Sequence, residues 1–246
     1  MCTLVLAWQV FTDAPVVAAA NRDERLDRPS EPPSVISEEP GIVAPQDAEA
    51  GGTWIGYNEH GVFVAITNRW TDRDVAGDRS RGLLVRDALG EPSAEEAVRL
   101  VERELDERRY EGFNLVVTDA SAALYVENDG AARVRNFEPG VHVVVNVGAD
   151  GAYVVPAGRA DAGERQARNA DEVAAALAPE PGETSGLWLD RAADVIGDHD
   201  YGVCVHHDRF GTRSSSLVTI GPDGSSYRYA GGPPCETDYR QVESQI

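Results

Sequence analysis

Met1-Cys2-Thr3-Leu4-Val5-Leu6-Ala7-Trp8 opens the chain. The apolar run after the threonine predicts a strand over Thr3 to Phe11 with a cysteine at its mouth. Removal of the methionine would make Cys2 residue one. Its free α-amine, with a reference pKa of roughly 7.7 to 8.0, lies close to the roughly 8.5 of a thiol, so the amine could take the thiol proton near neutral pH. One residue would then supply both nucleophile and general base. The plainer alternative is a small apolar residue beginning an edge strand.

Working outward, Val16 to Ala20 predicts a second strand, followed by a loop rich in proline and acid, then a strand at Val62 to Thr67. Ser80 to Leu89 and Ser93 to Arg108 predict helices separated by Gly90-Glu91-Pro92. The second carries a capping box of Ser93 with Glu96 and an apolar face at Ala97, Val98, Val101 and Leu105. Strands follow at Asn114 to Thr118, Ala122 to Glu127, Ala132 to Phe137 and Val141 to Asn146, with Asn128-Asp129-Gly130 as a hairpin turn. Two further helices are expected at Ala170 to Leu177 and Gly186 to Ile196. Strands at Tyr201 to Val205, Ser216 to Ile220 and Ser225 to Ala230 close the chain. With no linker, repeat or low-complexity stretch, residues 1–246 read as a single domain; the alternative is two α+β domains divided near Gly112. The element order fits an α+β, four-layer αββα sandwich of two antiparallel sheets.

Composition bounds the setting. The net charge of −20 arises from 42 acidic and 22 basic residues, every basic one an arginine. Such a surface repels phosphate backbones and anionic membranes, which excludes nucleic acid as a partner, and it suits abundant salt that screens self-repulsion. A halophilic archaeal source is the expectation. No apolar run is long enough to span a bilayer, and the start lacks a basic region and a cleavage site, so a cytoplasmic location is expected. Three cysteines, Cys2, Cys204 and Cys235, suggest neither a disulfide framework nor a four-thiolate site.

Asn21-Arg22-Asp23-Glu24 follows the second strand, where a hairpin would bring it beside the strand that starts at Cys2. The run continues as Arg25-Leu26-Asp27-Arg28-Pro29, and Gly51-Gly52-Thr53-Trp54-Ile55-Gly56 precedes a strand ending in Thr67-Asn68-Arg69. With Ser80-Arg81-Gly82, Asn146 and Gly211-Thr212-Arg213-Ser214-Ser215, these pieces in this order resemble the NRDE family, which includes the transport and Golgi organisation protein 2 homologs. Through it the chain is similar to N-terminal-nucleophile hydrolases of the choloylglycine hydrolase type. The resemblance spans nearly the whole chain and implies the αββα N-terminal-nucleophile hydrolase fold. It departs from the family after Asn146, where Val147-Gly148-Ala149-Asp150-Gly151-Ala152 replaces a run that commonly contains proline, tryptophan and lysine.

The resemblance implies a catalytic set of Cys2, Arg22, Asp23, Asn68, Asn146 and Arg213. Cys2 would attack a carbonyl and form an acyl-enzyme while its amine moves the proton. Asp23 would hold that amine, and Arg22 would favour the thiolate. Asn146 and Asn68, each at a strand end, would donate to an oxyanion, although a turn-forming role is the ordinary reading of either alone. Arg213 would orient the nucleophile or bind a substrate carboxylate. Asn21, Trp54 and Arg69 are expected to contact substrate, with packing against the sheet as the plainer role for Trp54.

Cys204-Val205-His206-His207, with His199 upstream, has loose spacing. Cys204 and His206 would share a strand face, but no second cluster supplies further ligands, so no metal is expected. Gly51-Gly52 lacks the lysine and the strand-turn-helix setting of a phosphate loop. Two functions compete: an N-terminal-cysteine amidohydrolase acting on a small-molecule amide or acyl bond without a cofactor, and a binding and trafficking protein for haem, lipid or acyl-CoA. The second follows from the resemblance. Its candidate haem ligands are His60, His142, His199, His206, His207 and the cysteines.

Overall fold

A computed structural model describes residues 2–73, 76–243 and 246. Two compact units emerge: one joins the residues through Arg28 to Pro139–Val242, and the other is Pro29–Glu138 with Glu243 and Ile246. The chain passes between them at Arg28 and Glu138 rather than near Gly112. Each unit contains one antiparallel sheet and one helix pair.

The first unit is built on β1 (Thr3–Trp8) and β2 (Val16–Arg25), paired antiparallel with Thr3 opposite Asn21. On its other side β1 pairs with β10 (Gly140–Val145), Leu4 opposite Val144, and the short β11 (Gly148–Ala149) and β12 (Ala152–Tyr153) extend the sheet beyond it. Beyond β2 comes β13 (Phe210–Gly221), then β14 (Gly224–Ala230). All six residues of β1 are buried, as expected of a continuous apolar run at the centre of a sheet. Its helices are α3 (Ala160–Ala176), against β10, and α4 (Ser185–Gly197), against β2 and β13. Thr184 caps α4 by accepting from Leu187 N, and the Ser185 hydroxyl donates to Asp13 at 2.5 Å. Trp188 is fully buried on the inner face of α4, its indole N–H satisfied by Leu177 O at 2.9 Å.

The second sheet runs β3 (Ser30–Glu38), β4 (Gly41–Asp47), β5 (Ile55–Asn58), β6 (Phe63–Asn68), β7 (Phe113–Thr118), β8 (Ala123–Asn128) and β9 (Ala132–Asn136) in sequence order. One core packs Val64, Leu115, Val117 and Val126 against Leu84 and Val85 of α1 (Arg81–Ala88) and Ala97, Val98 and Val101 of α2 (Ala94–Glu107). Ser93 caps α2, accepting from Glu96 N at 3.2 Å, as its sequence predicts.

Three sequence expectations are corrected. The proline-rich loop after Arg28 contains β3, an edge strand whose Pro32 and Pro33 sit in a register break where no ladder donor is required. Helix α3 begins ten residues before the expected Ala170, because its buried side includes Gly163 and Gln166, which carry no apolar signal. Tyr201 to Val205 is not a strand. Gly202 adopts φ 64°, ending a short 3₁₀ turn at His199–Tyr201, and only His206 bridges to Gly211. Among the described residues no helix is long and apolar enough to cross a membrane.

Candidate active site

Strand register gathers the first cluster. Continuing the β1–β2 and β1–β10 ladders back from Thr3 and Leu4 sets Cys2 between Arg22 on one side and Asn146 on the other. Asn146 follows β10 in the two-residue loop whose flanks, Val145 and Gly148, pair. Gly148 holds φ 141°, and a Cβ there would lie 2.3 Å from Ala152 O, so only glycine closes this turn.

Cys2 N donates to Asn146 Oδ1 at 3.1 Å, and Gln166 Nε2 of α3 donates to the same oxygen at 2.9 Å. Because Cys2 N is here a peptide N–H, which can only donate, the contact fixes which end of the Asn146 amide faces it and turns the Nδ2 donor the other way. The Cys2 thiol donates to the backbone carbonyl of Asp23 at 3.7 Å. Burial pushes this thiol above its ordinary pKa and the Asp23 charge adds to the rise, while the Arg22 guanidinium opposes it.

Asp23 is itself buried, and burial pushes its carboxyl up to about 6 despite a hydrogen bond that favours the anion. That bond comes from Thr212 Oγ1 at 2.6 Å, and the same hydroxyl accepts Val205 N–H at 2.9 Å. Arg22 is buried next to it, with Glu24 4.0 Å from its guanidinium. Across the β2–β13 ladder Thr212 faces Asp23 and Ser214 faces Arg22, so Arg213 is the extra residue of a β-bulge. A bulge re-aims its side chain and bends its strand, which explains an arginine within an otherwise small, hydroxyl-rich segment.

Several expected residues have other occupations. Asn21 is buried, and its amide donates to Ile196 O at 2.8 Å and Val203 O at 3.0 Å, so it ties α4 and the following loop to β2 rather than offering itself to a ligand. Arg69, in the second unit, is buried with Nη1 donating to Asn114 Oδ1 at 2.8 Å and Glu127 3.4 Å away, which satisfies its charge inside that unit. Asn68 ends β6 exposed, and Trp54 is half-buried just before β5. Gly52 packs so closely on Gly82 that a Cβ would lie 2.2 Å from its carbonyl carbon, a close-packing reason for the glycine pair. A surface cavity in the second unit, about 830 Å³ and bordered by α2 and the β8–β9 turn, contains none of the expected site residues.

The sequence of the Transport and Golgi organisation 2 family matches this chain over residues 1–229. The chain belongs to the Transport and Golgi organisation 2 family. A mouse relative in this family, the Transport and Golgi organization 2 homolog of Mus musculus, is 31% identical over 140 residues, 53% of this chain and 50% of its own length. The chain thus spans about half the length of that relative. Among solved structures, penicillin V acylase from Agrobacterium tumefaciens superposes with a TM-score of 0.56 at 17% identity, over 94% of this chain and 83% of that one. The Caenorhabditis elegans N-acylethanolamine-hydrolyzing acid amidase ortholog gives 0.58 at 14% identity, over 91% and 95%. This member of the Transport and Golgi organisation 2 family therefore has the α+β, N-terminal-nucleophile hydrolase fold.

Two contributors escaped the sequence. Thr212 lies inside the quoted Gly211 to Ser215 segment, where the neighbouring arginine drew attention, and Gln166 lies on a helix face with no motif. Spacing also hides a grouping: Cys235 joins Cys204, His206 and His199, and the four ligand-type atoms lie within 4.8 Å of one another.

Proposed function

We propose that this protein is an N-terminal-cysteine amidohydrolase whose nucleophile is Cys2 once Met1 has been removed. The carrying observation is the pairing of Cys2 N with Asn146 Oδ1 on a strand register that also sets Cys2 beside Arg22 and Asp23. Burial keeps the thiol protonated in the methionine-bearing chain, so sulfur needs a base of its own, and a freed α-amine is within reach of its own side chain.

In this reading the α-amine takes the thiol proton and Sγ attacks the carbonyl carbon of a small amide. Asn146 Nδ2 donates to the resulting oxyanion. Collapse breaks the C–N bond, with the α-ammonium returning its proton to the leaving amine. Water, deprotonated by the same amine, then attacks the thioester and releases the carboxylic acid. Asp23, oriented by Thr212, positions the amine, and Arg22 favours the thiolate. Penicillin V acylase shares only the fold, which supports this class of chemistry and names no substrate here.

Intact mass and an electrophilic acyl probe test the reading together. The expected result is a methionine-free chain that gains one acyl group on Cys2, with no gain in Cys2→Ala. A methionine-free chain that resists acylation ends the proposal.

A second reading rests on the printed name of the relative, which speaks of transport rather than turnover: the scaffold binds haem, lipid or acyl-CoA and does not turn it over. Haemin titration with a Soret shift, or calorimetric acyl-CoA binding, in a protein whose Cys2 is inert would favour it.

A further inference from the structure

His199, Cys204 and His206, close in sequence, meet the distant Cys235 on one side of the first unit, apart from Cys2 in role. Cys204 Sγ is 3.5 Å from Cys235 Sγ and 3.7 Å from His206 Nε2, and His206 Nε2 is 3.1 Å from Cys235 Sγ. The His199 ring packs edge-on to the His206 ring, centroids 5.1 Å apart. A tetrahedral ion with metal–sulfur bonds of ~2.3 Å and metal–nitrogen bonds of ~2.0 Å requires ligand–ligand edges of about 3.3 to 3.8 Å. The three measured edges fall within a few tenths of an ångström of that range. All four donors are thiol sulfurs or imidazole nitrogens, which a borderline-soft divalent ion prefers.

We infer that these four side chains form a closed two-cysteine, two-histidine site for a zinc-class ion. The set contains two thiolates and two imidazoles with no position left for a substrate, which marks a structural rather than a catalytic centre. Its frame is already shaped. Asn169 Nδ2 donates to Gly202 O at 3.2 Å, Asp198 accepts from Asp200 N at 2.9 Å below His199, and Glu236 N donates to Pro233 O at 3.0 Å around Cys235. Cys204 is buried and the other three ligands are exposed, so an ion has an entry path from solvent. Binding would replace the two thiol protons, which leave to solvent, with two metal–sulfur bonds.

The position gives the site a consequence. Val205 lies between two of the ligands, and its N–H holds the Thr212 hydroxyl that orients Asp23. An ion that clamps 204 and 206 therefore stiffens the support of the candidate active site.

The full-length protein, reduced and stripped with chelator, is titrated with cobalt(II) and then zinc(II). Expected are the intense visible bands of tetrahedral cobalt with thiolate charge transfer, saturating at one ion per chain and displaced by zinc. Zinc should also protect Cys204 and Cys235 from alkylation and raise the melting temperature. Cys235→Ser and His199→Ala, both at exposed positions, should each weaken cobalt binding at least tenfold, and Cys2→Ala should leave it unchanged. Absence of the tetrahedral bands, bands insensitive to both variants, or a Cys204–Cys235 disulfide forming in the presence of stoichiometric zinc overturns the proposal.

Discussion

Thr212 Oγ1 donates to Asp23 Oδ1 at 2.6 Å while accepting Val205 N–H at 2.9 Å, so the direction of the hydroxyl proton is fixed by the backbone amide behind it. The threonine is thereby a positioning residue for the carboxylate. Thr212→Val keeps the volume but leaves a buried carboxylate oxygen and a backbone N–H without this partner. The expected loss is about 1 to 3 kcal/mol, read by denaturant unfolding. The Asp23 carboxyl should also titrate higher than in the parent, which carbon-detected NMR would register. A variant with unchanged stability and unchanged Asp23 titration contradicts the relay.

The raised Asp23 pKa fixes a pH signature. A carboxyl near 6 in the fold and near 3.8 when unfolded holds its proton more tightly in the native state. Its stabilising contribution is therefore complete below about 4 and is lost as pH rises toward about 6 and above, a term on the order of 3 kcal/mol. Asp13, Glu104, Asp129 and Glu183 have lowered pKa values and act in the opposite sense, losing stability as pH falls through their own acidic range. Subtracting the unfolding profile of Asp23→Asn from that of the parent isolates the Asp23 component. A flat difference between pH 4 and 7 contradicts the burial argument.

Asn146 carries two predictions because its Oδ1 and Nδ2 ends do different jobs. Asn146→Ala removes the acceptor shared by Cys2 N and Gln166 Nε2, which should lower stability by about 1 to 3 kcal/mol. If Nδ2 also stabilises an oxyanion, the same variant should slow acylation of Cys2 by about 10² to 10³-fold. Gln166→Leu separates the two, since it loosens the Asn146 amide without removing the donor. It should cost stability and slow acylation far less than Asn146→Ala. Equal acylation rates in the parent and Asn146→Ala would leave Asn146 a purely structural residue.

How far the sequence reaches is clear from these same residues. Cys2, Arg22, Asp23 and Asn146 are legible as candidates only together, because their motifs in this order resemble a known family; each piece alone reads as an edge strand or a turn. β2 shows the limit. Its polar second half, Asn21 to Arg25, reads as a segment that follows a strand ending at Ala20, yet it stays in the sheet because β13 runs alongside it as far as Phe210. Partnering across nearly two hundred residues leaves no local trace. Cys235 is hidden for the same reason: it meets Cys204 and His206 only because the loops before β13 and after β14 fold to one place. Thr212 and Gln166 act through hydrogen bonds whose partners are set by register, so neither residue type nor spacing marks them.

The glycine pair separates two kinds of constraint. Gly51 has φ 69° and open space around its missing Cβ, so Gly51→Ala meets only the left-handed backbone penalty, about 1 to 2 kcal/mol. Gly52 has an ordinary φ, but its Cβ would sit 2.2 Å from the Gly82 carbonyl carbon and 2.5 Å from Leu83 N, both backbone atoms at the start of α1. Gly52→Ala should therefore be the more damaging, about 3 kcal/mol, because the helix entrance must move. Thermal melts of the two variants side by side decide it, and a milder effect at 52 than at 51 contradicts the close approach.

The net negative charge of the chain makes a prediction about ionic strength rather than chemistry. A net charge of −20 on 246 residues repels itself over a screening length of about 30 Å at 0.01 M salt and about 3 Å at 1 M. Compaction brings those charges closer than in the unfolded chain, so weak screening penalises the native state most. The melting temperature should rise steeply between those concentrations and then level once screening is complete. Potassium chloride and sodium chloride should act alike at equal ionic strength, whereas a salt that acts through exclusion from the surface, such as sulfate, should continue to stabilise at higher concentration. Replacing exposed acidic residues with their amides, for example Glu95→Gln and Glu102→Gln on the outer face of α2, should move the rise to lower salt. A melting temperature independent of salt would show that specific ion pairs, not net charge, set the electrostatic balance of this chain.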